Sequence, residues 1–132
     1  MRKTSKVAMG VVALVAFLVS TVFASVIFRT ETTATGTTAL DYTATYTSRA
    51  RVKGVFIKAA APITETVTLT FASKTNSTYN TVLATQSLIN ASNYYFTPDN
   101  DLILDTDDGL RVQCTKATAN TTIYATIESE SY

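Results

Sequence analysis

Thr64-Glu65-Thr66-Val67-Thr68-Leu69-Thr70-Phe71-Ala72 is the stretch on which the fold reading turns. Val67, Leu69 and Phe71 alternate with Thr66, Thr68 and Thr70, a period of two that sends successive side chains to opposite faces of a strand. Such alternation predicts a sheet with one buried and one wet face. Threonine suits the wet face, because its branched Cβ favours extended backbone and its hydroxyl keeps the surface hydrated without charge.

The same rhythm recurs to either side. Leu110, Val112 and Cys114 alternate with Arg111, Gln113 and Thr115, and Ile123, Ala125 and Ile127 read as the inner face of a last strand. Arg49 to Lys58 carries Val52, Val55, Phe56 and Ile57, and Ala59-Ala60-Ala61-Pro62 is expected to end it. Thr81 to Leu88, Tyr94 to Thr97 (closed by Pro98) and Leu102 to Leu104 are further short strands, with Asp41 to Thr47 as a first edge strand. Ser73 to Ser77, Asp105 to Gly109 and Lys116 to Asn120 supply turns. The expectation is an all-β, jelly-roll-like β-sandwich of about seven or eight short strands, with no helix after Phe28. Its core should hold Val67, Leu69, Phe71, Val112, Cys114, Ile123 and Ile127.

The front of the chain is different. Val7 to Phe28 is uncharged, follows Arg2, Lys3 and Lys6, and is closed by Arg29 and Glu31. As a helix it would span roughly 33 Å, enough to cross a bilayer core with the basic flank cytoplasmic. Two readings compete. A cleaved signal peptide would end near Val22-Phe23-Ala24. A retained anchor better fits the length of the segment, since Ser25-Val26-Ile27-Phe28 continues past that cut. Ala16, Ser20 and Ala24 share an i, i+4 ridge, a spacing that lets two helices approach closely. The division is then residues 1–28 as basic flank and hydrophobic helix, 29–48 as a Thr-rich polar arm or linker, and 49–132 as the β domain.

Composition narrows the chemistry. The chain has 132 residues and a formal net charge of +1. From Arg29 onward eight Lys and Arg stand against ten Asp and Glu, a balance of −2, so no basic surface for nucleic acid is implied. There is no histidine, which removes Ser-His and Cys-His pairs and the commonest metal ligand. Four glycines form no phosphate-binding loop. Cys114, the single cysteine, falls in an alternating strand and reads as a small buried hydrophobe. No enzyme, small-molecule substrate or resident cofactor is expected.

Three weaker features invite binding. Asp99, Asp101, Asp105, Asp107 and Asp108 could offer oxygen ligands to calcium, but the run lacks EF-hand spacing, and Asp is also an ordinary turn residue. Tyr79, Tyr94, Tyr95 and Phe96 would make a stacking platform for a sugar, or else sheet core and cross-strand pairs. Asn76, Asn90 and Asn120 each begin an Asn-x-Ser/Thr sequon at or near an expected turn.

Val52 to Glu128 resembles short β-sandwich proteins of phages and prophages. The resemblance is carried by Val67-Thr68-Leu69-Thr70-Phe71, Tyr79-Asn80-Thr81-Val82-Leu83, Phe96-Thr97-Pro98-Asp99-Asn100-Asp101-Leu102, Gly109-Leu110-Arg111-Val112 and the Ile-Tyr-Ala-Thr-Ile run at Ile123 to Ile127. It implies a virion-surface position without catalysis, although a hydrophobic N-terminal helix departs from that pattern. Phe28-Arg29-Thr30-Glu31-Thr32, with Thr35-Gly36 and Leu40-Asp41, is similar to the signal-to-mature junction of TasA-type matrix fibre proteins. That resemblance implies a β-sandwich whose subunits join by strand donation. Together these features lead to an expected extracytoplasmic structural subunit of a filament or virion. It would associate with itself, and with a membrane through residues 7–28 if these are retained. The alternative is a tethered or secreted binding module for carbohydrate or calcium.

Overall fold

The computed structural model of the chain describes residues 25–116 and 120–132. They form an all-β fold of seven strands, β1 (Ile27–Ala34), β2 (Leu40–Thr45), β3 (Ala50–Ala72), β4 (Thr81–Phe96), β5 (Leu102–Leu104), β6 (Gly109–Cys114) and β7 (Ile123–Ser131), with one 3-10 turn at Ser77–Tyr79. All pairings are antiparallel, in the order β1-β7-β3-β6-β2, with β4 and β5 both on β3.

The long β3 organises the sheet. Its first half, 50–59, pairs with β7, and its second half, 67–72, pairs with β6. Along its other edge β4 accompanies both halves, and β5 continues past the end of β4. The sheet therefore curls, and the two halves share one core. Ala59-Ala60-Ala61-Pro62, expected to end a strand, is the bend of a continuous one. The β3–β4 register shifts between Lys58 and Ile63, and on β4 Asn90 turns the chain with a φ of 49°. Pro62 is exposed at the bend, where its missing N–H breaks no buried ladder. For the same reason the expected segments 81–88 and 94–97 are one strand.

A bulge near the start of β3 sets which face is buried. Val52 opposes Ser129 and Gly54 opposes Glu128, so Lys53 is the extra residue. The buried parity changes there, from Ala50 and Val52 to Val55, Ile57 and Ala59, and then persists through Ile63, Val67 and Leu69. Six of the seven expected core residues are buried: Val67, Leu69, Val112, Cys114, Ile123 and Ile127. Phe71 is half-buried against them.

The division at residue 28 changes. Ile27 and Phe28, assigned above to the hydrophobic helix, begin β1. Residues 29–48, expected as a polar arm apart from an edge strand at Asp41 to Thr47, supply the rest of β1 and also β2, which lies close to that expected strand. The physical reason is alternation hidden by threonine: Phe28, Thr30, Thr32 and Ala34 turn toward the core, and a threonine methyl fills a shallow edge site without reading as hydrophobic. Residues 7–24, with the Ala16, Ser20 and Ala24 ridge, lie outside the described residues. Among the described residues no helix is long and apolar enough to cross a membrane.

Candidate interaction surface

Two outer strands leave backbone edges open. Among the described residues β1 pairs only with β7 and β2 only with β6; the two touch each other without forming a ladder. A groove between them is lined by Phe28, Thr30, Tyr42, Ala44 and Tyr46. β1 is lightly held, since Ala34 is its single fully buried side chain. Its link to β2 is secured instead by Lys116, whose Nζ donates to the carbonyls of Ala34 at 3.0 Å and Gly36 at 2.8 Å. Lys116 is buried, and Gly36 takes a φ of 59° in that turn, a conformation that glycine adopts freely. Nothing in the sequence marked Lys116, because its partners are backbone carbonyls 80 residues away in the chain.

On the outside of the β1-β7-β3-β4 half, Phe56 and Tyr95 stand side by side with ring centroids 5.7 Å apart. The Tyr95 ring lies over Gly54, where an added Cβ would come within 2.7 Å of its hydroxyl. A shallow groove joins this pair to Arg29, Glu31, Thr126 and Glu128, with Arg29 Nε bonded to Glu128 Oε1 at 2.8 Å. The expected platform of Tyr79, Tyr94, Tyr95 and Phe96 is not assembled. Tyr94 and Phe96 pair with Ile57 and Val55 on the inner side, while Tyr95 faces out. Phe56 is the partner that the sequence left inside a hydrophobic run, where the bulge at Lys53 conceals its outward parity.

The acidic run is distributed rather than gathered. Asp101 pairs with Arg51 at 3.4 Å and Asp105 with Arg49 at 3.0 Å. The guanidinium groups of Arg49 and Arg51 also each lie 5.0 Å from the Tyr132 ring centre. Asp108 accepts from the backbone N–H of Lys74 and of Asp105, and Asp107 takes a φ of 70° in the turn. These are the turn and ion-pair roles of aspartate. Among the described residues no three acidic or thiol groups converge as a metal site would require.

The three sequon asparagines are exposed. Asn76 caps the 3-10 turn, accepting from Thr78 N at 2.8 Å and Thr78 Oγ1 at 2.9 Å. Asn90 sits at the bend of β4 rather than in a turn, and Asn120 lies before β7. Cys114 is 1% exposed, and burial, aided by the negative charge of Glu65, pushes its thiol up to about 11. A neutral buried thiol is a packing group, not a nucleophile. Glu65 is itself buried and accepts from Thr115 Oγ1 at 2.5 Å.

No protein-family model matches the chain, and no curated protein matches it. Neither finding supports the resemblance to virion-surface or matrix-fibre proteins. Among solved structures, the crystal structure of PirA is similar with a TM-score of 0.45 and 14% identity, over 75% of this chain and 90% of that one. A likeness of that degree carries no functional argument.

Proposed function

We propose that this chain is a non-enzymatic structural subunit of an extracytoplasmic assembly, a surface filament or a membrane-associated virion. Copies would join through the edges of a jelly-roll-like β domain and through the N-terminal segment. The observation that carries the reading is β1. It is an edge strand with one fully buried side chain, and it directly follows the long hydrophobic segment. A strand so lightly held can leave β7 and be replaced by β1 of a second copy, with every native contact remade. The hinge would be 35–39, which is exposed throughout.

The test is negative-stain microscopy and intact mass of natively purified protein, beside a variant lacking residues 27–34. Ordered polymers from the parent and folded, non-polymeric protein from the variant support exchange of β1. Polymers that persist without β1 exclude it. Mass retaining residues 7–28 would place the hydrophobic segment in the mature assembly.

One observation favours a second reading, a binding module. The exposed Phe56–Tyr95 pair, its rings tilted 54° to each other, offers an apolar face with Glu31, Arg29 and Glu128 at its rim, an arrangement on which one face of a pyranose ring could rest. Glycan-array binding that disappears in Phe56→Ala/Tyr95→Ala would support it. No binding by the parent protein would remove it.

A further inference from the structure

The longest open edge belongs to β4, and it lacks most of the usual guards. Proteins blunt exposed strand edges with charge, proline or short length, because an unpaired ladder recruits another strand. The other edges here follow that rule. β1 carries Arg29 and Glu31, β2 is 6 residues long and carries Asp41, and β5 is 3 residues long. β4 runs for 16 residues, Thr-Val-Leu-Ala-Thr-Gln-Ser-Leu-Ile-Asn-Ala-Ser-Asn-Tyr-Tyr-Phe, with no charge, no proline and no glycine. Among the described residues it pairs only with β3. Val82 is 60% and Ile89 76% exposed on it.

We propose that β4 is a self-association edge, pairing antiparallel with β4 of a second copy about a two-fold axis. The proposal rests on the assembly reading above and names a contact separate from β1. The pairing segment is Ala84–Leu88, which keeps regular register with Leu69 to Glu65 of β3 and lies between the irregularities at Leu83 and at the Asn90 bend. The two-fold argues for a second copy rather than an unrelated strand. A two-fold axis at Gln86 sets Ala84 opposite Leu88 and Thr85 opposite Ser87 of the second copy, so the segment is its own neutral complement. Among the edge strands longer than three residues, β4 is the one that brings no charge to such a ladder. Its Thr, Ser, Ala and Leu residues bring small or β-branched side chains to the new ladder. Gln86 Nε2 now donates to the Ser87 carbonyl at 2.9 Å, an exposed contact that an incoming N–H would replace.

The test compares the full chain with Thr85→Lys/Ser87→Lys, both exposed positions, by light scattering over a concentration series, with circular dichroism to verify the fold. The folded double variant should raise the dimer dissociation constant at least tenfold. Variants with one added cysteine, at Thr85, Ser87 or Ile89, add a direct readout, since buried Cys114 does not compete. At least one should form a disulfide dimer on mild oxidation, and Thr43→Cys on β2 should not. If the parent assembles and the lysine variant assembles equally well, or Thr43→Cys cross-links as readily, the β4 contact is wrong while the assembly reading stands. A parent that stays monomeric at every concentration overturns both.

Discussion

At the residue scale, a few polar groups are placed inside an apolar curl, and each must be paired there. The Tyr46 and Ser129 hydroxyls share a buried hydrogen bond of 2.7 Å, which ties the end of β2 to β7 across the core. Tyr46→Phe leaves the Ser129 hydroxyl buried and unpaired, and should cost about 1–2 kcal/mol in denaturant unfolding. The double variant Tyr46→Phe/Ser129→Ala should recover part of that loss, because no polar group is then stranded. Alkaline pH should act through Cys114 and through the Tyr46 and Tyr94 phenols. The folded Cys114 thiol ionises near 11 against an ordinary 9.0. The folded state thus keeps a proton that the unfolded chain releases, and stability should fall as pH rises from about 9 toward 11. Burial also raises the Tyr46 and Tyr94 phenols above their ordinary 10.0, so a second loss begins above 10. Urea midpoints measured against pH should show the earlier onset abolished in Cys114→Ala and the later one retained.

The glycines separate two kinds of close approach. A Cβ on Gly109 would sit 2.9 Å from Thr43 Cγ2 and 3.0 Å from the Ala44 carbonyl oxygen, so Gly109→Ala must push backbone apart and should cost about 1–3 kcal/mol. At Gly54 the obstacle is the exposed Tyr95 ring, which can swing outward. Gly54→Ala should cost less than Gly109→Ala in thermal unfolding, while disrupting the Phe56–Tyr95 pair.

At the scale of elements, β1 and its turn should be the first part to open. Lys116→Met removes two charge-assisted hydrogen bonds to Ala34 and Gly36. It should destabilise by about 1.5–3 kcal/mol and speed amide exchange along β1 well before β3. Uniform exchange across β1 and β3 in that variant would mean that Lys116 does not hold the strand locally. β2 and β6 are joined differently, by the bidentate Asp41–Arg111 pair at 2.6 and 2.8 Å. Hydrogen bonding from Arg111 holds the Asp41 carboxyl below its ordinary range, so this contribution persists at neutral pH and is lost only as acid protonates it. Element types were legible wherever alternation involved large apolar residues, as in 64–72 and 110–114. They were illegible at 27–34, where threonine substitutes for aliphatics, and at 59–62, where a bend and a break carry the same local signal.

At the scale of the molecule, the sequence by itself determined an all-β chain with a particular buried set and no histidine. These follow from side-chain chemistry and a period of two, both local properties. Only the tertiary structure decided how the strands share edges. That β3 serves both halves of a curled sheet depends on pairings between residues far apart in the chain, such as Val67 with Cys114 and Val55 with Ile127. The same pairings drew Asp101 and Asp105 to Arg51 and Arg49, left Asp107 and Asp108 in a turn, and separated Tyr95 from Tyr94. They also revealed which strands are left with an unpaired edge. A residue's type fixes what it can do, but its neighbours in space fix what it does, and those neighbours are chosen by the closure of the whole sheet.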